Sequence, residues 1–282
     1  MSRVALATAF ALLAFAANSL LCRMALRDTA IDPASFTSIR LIAGAITLWL
    51  LGWMRSRGFS VGGTWSSALA LFAYAIAFSF AYVAVTAGTG ALLLFGAVQL
   101  TMILVGMASG ERVTAWIVIG WLLAATGLII LVLPGLSAPP LLQAIFMLGA
   151  GVAWGIYSLR GRGSTNPLRD TAGNFIRAVP GALAMSVLYW KHASIDSKGI
   201  LLAVLSGSLA SGVGYAVWYT ALPRLKAIAA ANLQLTVPLI ASVGGIMLFG
   251  EPLTTRLVAA AVLLLGGVAL ATRQAMRPTR NN

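Results

Sequence analysis

The chain has 282 residues, 60% of them apolar and only 9% charged, with 19 Lys or Arg against 6 Asp or Glu. Soluble domains carry about 25% charged and 45 to 50% apolar residues, so this composition excludes a soluble globular fold. The net charge of +13 does not indicate a nucleic-acid partner, because the basic residues stand singly between apolar runs instead of clustering. The single cysteine, Cys22, lies inside an apolar run and has no partner in the chain for a disulfide.

Apolar windows bounded by charged residues or Gly/Pro clusters fall near 4–22, 34–54, 65–86, 89–108, 114–133, 140–158, 170–190, 199–221, 226–249 and 254–272. Each matches the length of about 20 residues that a membrane-spanning helix needs, which predicts an all-α integral membrane protein of ten helices joined by short loops. The cut at 86–90 carries no charge, but merging its neighbours would give a span too long for one bilayer crossing. The first window follows Arg3 and contains Ala14-Phe15-Ala16, which resembles a cleavage site. Its apolar run exceeds the h-region of a signal peptide, so it is expected to remain as a helix. With the N-terminus placed in the cytoplasm, twelve Lys or Arg fall on that side. Five fall on the other: Arg23, Arg27, Lys191, Lys198 and Arg256. This bias predicts a multi-pass protein of a bacterial-type inner membrane with both termini cytoplasmic.

An internal repeat runs through the chain. Phe10, Leu12, Ala14 and Ala17 match Phe146, Leu148, Ala150 and Ala153, and Ile39-Arg40 with Gly44-Ala45 matches Ile176-Arg177 with Gly181-Ala182. Gln99-Leu100-Thr101 matches Gln234-Leu235-Thr236, and Gly110-Glu111 with Thr114 matches Gly250-Glu251 with Thr254. The offset stays between 135 and 140, which divides the chain into repeats 1–135 and 136–282. Five spans per repeat is odd, so the second copy enters the membrane from the opposite side. This is the inverted-repeat plan of secondary transporters, which favours alternating access, with the substrate site near mid-membrane at the repeat interface.

These residues resemble the drug/metabolite transporter superfamily, whose members carry two EamA-type repeats of five helices. The resemblance rests on Arg40-x-x-x-Gly44 with Arg177-x-x-x-Gly181, on Pro238 in the ninth span, and on the Gly-Glu-x-x-Thr motif opening the last span of each repeat. The run Gly214-Tyr215-Ala216-Val217-Trp218 is similar to a stretch of the YddG-type aromatic amino-acid exporters. The resemblance implies ten helices around a central cavity and export of amino acids or related metabolites.

Polar groups inside spans should face the bundle interior, because lipid offers them no partners. In the eighth span Ser208, Ser211, Tyr215, Trp218 and Tyr219 follow a three-and-four rhythm and form one stripe, matched in the third by Tyr74, Phe78 and Tyr82. Asn18 with Cys22, Phe95 with Gln99, Trp154 with Tyr157, and Asn232 with Thr236 add further inward faces. The candidate substrate-binding residues are therefore Asn18, Phe78, Tyr82, Gln99, Trp154, Tyr157, Tyr215, Trp218, Tyr219 and Asn232. Aromatic rings would pack against an apolar side chain while amides and hydroxyls hold ammonium and carboxylate. Interhelical hydrogen bonds explain Asn18, Gln99 and Asn232 equally well. Trp49, Trp53, Trp65, Trp116 and Trp190 sit at span ends, as an interface belt does.

Arg40 and Arg177 lie about seven residues, roughly 10 Å, into their spans. They are read as gating or helix-anchoring residues, by snorkelling, by binding helix-end carbonyls or by guiding a carboxylate. Pro180 and Pro238 permit bends and belong to the same mechanical set. Glu111 and Glu251 precede helices and should complement their positive ends.

No Asp or Glu lies in the middle of a span, so transport is expected to run without a buried titrating carboxylate. No nucleotide loop, metal-ligand cluster or activated nucleophile is legible, which argues against an intramembrane enzyme and for a cofactor-free transporter. The expected partners are a small-molecule substrate and the lipid bilayer, with no nucleic acid, and the chain is expected to act as a monomer. Export of neutral, apolar or aromatic amino acids is the leading reading. Export of hydrophobic drugs or other metabolites is the alternative.

Overall fold

A computed structural model describes residues 3–57, 59–108, 114–135, 138–221 and 233–275. Among these, every regular element is helical: α1 (Arg3–Asp28), α2 (Pro33–Arg55), α3 (Trp65–Tyr82), α4 (Ala87–Ala108), α5 (Ala115–Val132), α6 (Leu141–Gly161) and α7 (Pro167–Leu188). A 3-10 turn at Trp190–His192 leads to α8 (Ser197–Leu205), which continues through a π-helical segment (Ser206–Val213) into α9 (Gly214–Ala221). Then come α10 (Thr236–Phe249) and α11 (Thr255–Ala275).

Seven helices among the described residues are long and apolar enough to cross a membrane: α1 to α6 and the continuous stretch Ser197–Trp218. Against the ten windows read from sequence, α7 is long but opens on Arg169, Asp170, Asn174 and Arg177, and α10 and α11 are shorter apolar helices. The window at 226–249 begins in residues outside those described. The chargeless boundary is a real break: α3 ends at Tyr82 and α4 starts at Ala87.

Helix starts follow local chemistry. Asp32 Oδ1 accepts from the amides of Ala34 and Ser35 at 2.9 and 3.0 Å with Pro33 at the first helical position, so α2 can begin only there. Thr64, Thr114, Asn166 and Asp196 cap α3, α5, α7 and α8 in the same way. At Asp196, the Gly199 amide first, and then the Ala30 amide, hold the carboxyl below its ordinary range. α10 stops at Gly250, whose φ of +61° suits the left-handed cap that glycine adopts without strain.

In the core, α3 packs on α6 and α7, α2 on α7 and the π segment, and α1 on α8, the π segment, α9 and α10. α4 lies against α6 and α10, while α5 packs along α11. Small residues set the closest contacts: a Cβ on Gly120 would stand 2.4 Å from the Gly267 carbonyl, and one on Gly267 equally close to that of Gly120. The five tryptophans expected at span ends are all exposed.

Candidate functional site

The most consequential buried group is Arg40, at 1% exposure. Instead of snorkelling to an interface, its guanidinium carbon lies 5.3 Å from the Tyr74 ring centroid and 5.1 Å from that of Phe78. Nη2 donates to the Tyr74 hydroxyl at 3.1 Å and Nε to Ser211 Oγ at 3.4 Å. Nη1 is buried with no hydrogen-bond partner among the described residues. No carboxylate there forms an ion pair with it; the ion pairs found are Arg23–Glu251 and Arg27–Asp28. A buried cation without a counter-ion is costly, and two ring faces offset only part of that cost.

The π segment shapes this environment. Its wider turns place residues five apart on one face, so Ser206 and Ser211 both point inward, and both are buried. The three-and-four rhythm read from the sequence put Ser208 on that face; the structure leaves Ser208 only partly buried and puts Ser206 there instead. Gly207 lies so close to α2 that a Cβ would meet the Arg40 carbonyl at 2.2 Å.

Next to Arg40, Asn18 joins three helical elements: Nδ2 donates to the Tyr74 hydroxyl at 3.1 Å and Oδ1 accepts from Ser206 Oγ at 2.7 Å. Asn18, Ser19, Tyr74, Phe78, Trp154 and Tyr215, with Phe15, Leu94 and Phe95, line a void of about 20 Å³. That volume holds about one water molecule. The rings close on each other. Trp154 lies 4.9 Å from Tyr74, 5.2 Å from Tyr215 and 5.5 Å from Tyr157, and Phe15 meets Trp154, Tyr215 and Trp218 edge-on.

The candidates from sequence divide accordingly. Asn18, Phe78, Trp154 and Tyr215 line the void, and Tyr82, Tyr157 and Trp218 pack against its lining rings. Gln99 is buried on α4, one turn beyond Phe95, and is not among the lining residues. The Tyr219 side chain and Asn232 lie outside the described residues. Pro180 faces outward, whereas Pro238 is buried and its carbonyl accepts from Ser242 Oγ at 2.8 Å. Phe15, Ser19 and Ser206 escaped the sequence reading. Phe15 and Asn18 are three apart on α1, a helical spacing that could have found the first.

Two polar clusters tie neighbouring helices together. At one, Arg23 Nε meets Glu251 Oε1 at 3.2 Å while Nη1 donates to the carbonyls of Tyr82 and Val83 at 2.9 and 3.0 Å. Glu251 Oε2 accepts from the Ala87 amide at 2.8 Å, and so serves the start of α4. The sequence placed it on the helix it precedes; that helix is capped by Thr254 instead, because the left-handed turn at Gly250 redirects the chain. Glu111 lies outside the described residues.

At the second, the strap before α3 lies on α7. The Gly63 amide donates to Asp170 Oδ1 at 2.9 Å and the Thr64 amide to Asn174 Oδ1 at 3.0 Å. Arg177 Nη1 donates to the Gly62 carbonyl, with its guanidinium 6.0 Å from the Trp65 ring centroid. Gly63 has a φ of +76°, and a Cβ on Gly173 would collide with the Gly62 carbonyl. Beneath the strap a cavity of about 250 Å³ is lined in part by Thr64, Ser67, Tyr157, Arg160, Asp170 and Asn174.

A bundle of apolar helices around a buried polar and aromatic chamber defines a multi-pass membrane protein. The chain matches the EamA-like transporter family over residues 141–273. It is 53% identical to an uncharacterized protein of Pseudomonas aeruginosa, PA1977, over 95% of this chain and 94% of that one. It is 34% identical to the threonine/homoserine exporter RhtA of Salmonella typhimurium over 42% of this chain and 41% of the exporter. With that of Escherichia coli K12 it shares 35% identity over 38% of this chain and 37% of the exporter. The chain thus matches about two fifths of the exporters' length. A solved crystal structure, 19% identical, covers 98% of this chain and 100% of its own at a TM-score of 0.68, which shows a common fold.

Proposed function

We propose that the chain is a monomeric secondary transporter that exports small zwitterionic metabolites, neutral amino acids above all, by alternating access across an inner membrane. Both termini are placed in the cytoplasm. Its two inverted repeats, 1–135 and 136–282, are supported by packing that survives exchange of the halves: α3 on α6 answers α8–α9 on α1, and α4 on α6 answers α10 on α1.

The observation that carries the reading is Arg40 Nη1, buried and unpartnered beside Asn18, Tyr74 and Ser211. A substrate carboxylate supplies the missing counter-charge, in the planar geometry that guanidinium suits. Asn18 and the surrounding rings receive the ammonium and the side chain. No carboxylate is among the lining residues, which disfavours a permanently cationic drug. At about 20 Å³ the void must widen to admit cargo, so the ring cluster has to move during each cycle.

Aromatic and apolar cargo is supported by the ring lining. Small hydroxy amino acids are a second reading, supported by the resemblance to threonine/homoserine exporters and by the hydroxyls of Ser19, Tyr74 and Ser206. Proteoliposomes loaded in turn with labelled phenylalanine, leucine, threonine, homoserine and a hydrophobic cationic dye test both. Efflux of the amino acids without the dye is expected, and efflux of the dye alone would overturn the proposal. The same vesicles under an imposed pH gradient test the coupling: flux should follow the substrate gradient, and strong uphill transport driven by pH would contradict it.

A further inference from the structure

The cavity beneath the strap is far larger than the central void, and two opposite charges line it without neutralising each other. Arg160 Nε donates to Ser67 Oγ at 3.1 Å and Nη2 to Ser66 Oγ. Asp170 accepts from the Gly63 amide and from Ser164 Oγ, all neutral partners. Neither residue forms an ion pair with any described residue. A guanidinium and a carboxylate on one small cavity, each held by uncharged groups, present the charge pattern complementary to an amino acid: carboxylate to Arg160, ammonium to Asp170. Its volume of about 250 Å³ leaves room for the head of a small amino acid, where the central void of about 20 Å³ holds about one water.

The floor of this cavity links it to the chamber. Tyr157 lines it and interacts with Asn174 and Thr171 of α7, while its other flank lies against Trp154 at 5.5 Å with the ring planes 32° apart. Trp154 lines the central void. One pair of rings, a single helical turn apart on α6, therefore stands between a wide polar vestibule and the central void, whose lining residues Tyr74 and Phe78 contact Arg40 from the side.

We infer that this vestibule is a loading site for the zwitterionic head of the substrate, with Arg160 and Asp170 as its two poles and the Tyr157–Trp154 pair as the barrier the cargo displaces to reach Arg40. The inference rests on the transport reading above. In the proposed topology the vestibule opens to the cytoplasm, the side from which an exporter loads. A phospholipid phosphate would engage Arg160 and leave the Asp170 carboxylate only its contacts to Gly63 and Ser164.

The test uses the full-length protein in liposomes with labelled L-threonine and L-phenylalanine, and as competitors the amide, which lacks the carboxylate, and the N-acetyl derivative, which lacks the ammonium. Arg160→Gln should raise the KM about tenfold and remove the preference for the amino acid over its amide. Asp170→Asn, which keeps an oxygen for the Gly63 amide, should raise KM similarly and remove the preference over the N-acetyl derivative. Arg160→Lys, which retains the charge, should recover most of the affinity and so separates binding from folding. Unchanged KM and unchanged analogue preference in Arg160→Gln and Asp170→Asn, with wild-type transport intact, would overturn the loading site and leave the exporter reading standing. A wild type that carries neither probe would overturn both.

Discussion

Arg40 in α2 and Arg177 in α7 occupy equivalent points of the repeated Ile-Arg-x-x-x-Gly motif, and the sequence gives no reason to treat them differently. Their surroundings do. Arg40 is enclosed by Tyr74, Phe78 and Ser211, with one nitrogen left over, while Arg177 is half-buried, clamps the Gly62 carbonyl and rests near Trp65. In one copy the charge meets a π-distorted helix and a ring cluster. In the other it meets a glycine-rich strap whose backbone supplies a ready acceptor. The shared motif position thus does not decide burial: the facing elements decide whether the charge is spent on a backbone carbonyl or keeps an unpartnered nitrogen.

The largest expected effect comes from removing the open charge. Arg40→Met should lower amino-acid flux about a hundredfold or more, because a charge-assisted contact and its geometry vanish together. Its thermal midpoint should hold or rise, since a buried uncompensated cation is replaced by an apolar side chain of similar length; flux assays and thermal unfolding in detergent read the two separately. Gly207→Ala should come next. It drives a methyl into the Arg40 carbonyl and should cost about 1 to 3 kcal/mol of stability, whereas Gly266→Ala, with nothing within 4 Å, should be nearly silent. Arg177→Met loses a clamp and a ring contact, about 1 kcal/mol, and should slow transport only a few-fold with KM unchanged.

The smallest effect should lie at Asp196, which caps α8. Its folded-state carboxyl titrates below the ordinary value of 3.8 because backbone amides, Gly199 first, donate to it. The stabilisation is therefore present above that value and is lost as pH falls through the lower folded-state value. Asp196→Ala should flatten the stability profile in that acid window and nowhere else, as measured by unfolding across pH 2 to 6.

Much of the bundle is legible in the primary structure because apolar length and capping residues are local properties: Asp32-Pro33, Thr64 and Asn166-Pro167 mark helix starts that the chain keeps. Clustering of Asn18, Phe78, Trp154, Tyr215 and Trp218 could be anticipated because polar and aromatic groups in lipid-spanning helices turn inward. What stayed hidden depends on distant pairings. The π segment shifts the inward face from Ser208 to Ser206, and no periodicity count reveals an extra residue per turn. Glu251 reaches across to the Ala87 amide, a contact set by how α10 meets α4 and not by the helix that follows it. Whether Arg40 or Arg177 would be the open one depends in the same way on which elements face them.

Counterflow of labelled threonine and phenylalanine in liposomes, run in parallel on the wild type, Arg40→Met and Arg177→Met, tests the central claim most directly. Exchange in the wild type, its loss in Arg40→Met and its persistence in Arg177→Met are the predicted results. Undiminished exchange by Arg40→Met would contradict the assignment of Arg40 as the receiver of the substrate carboxylate.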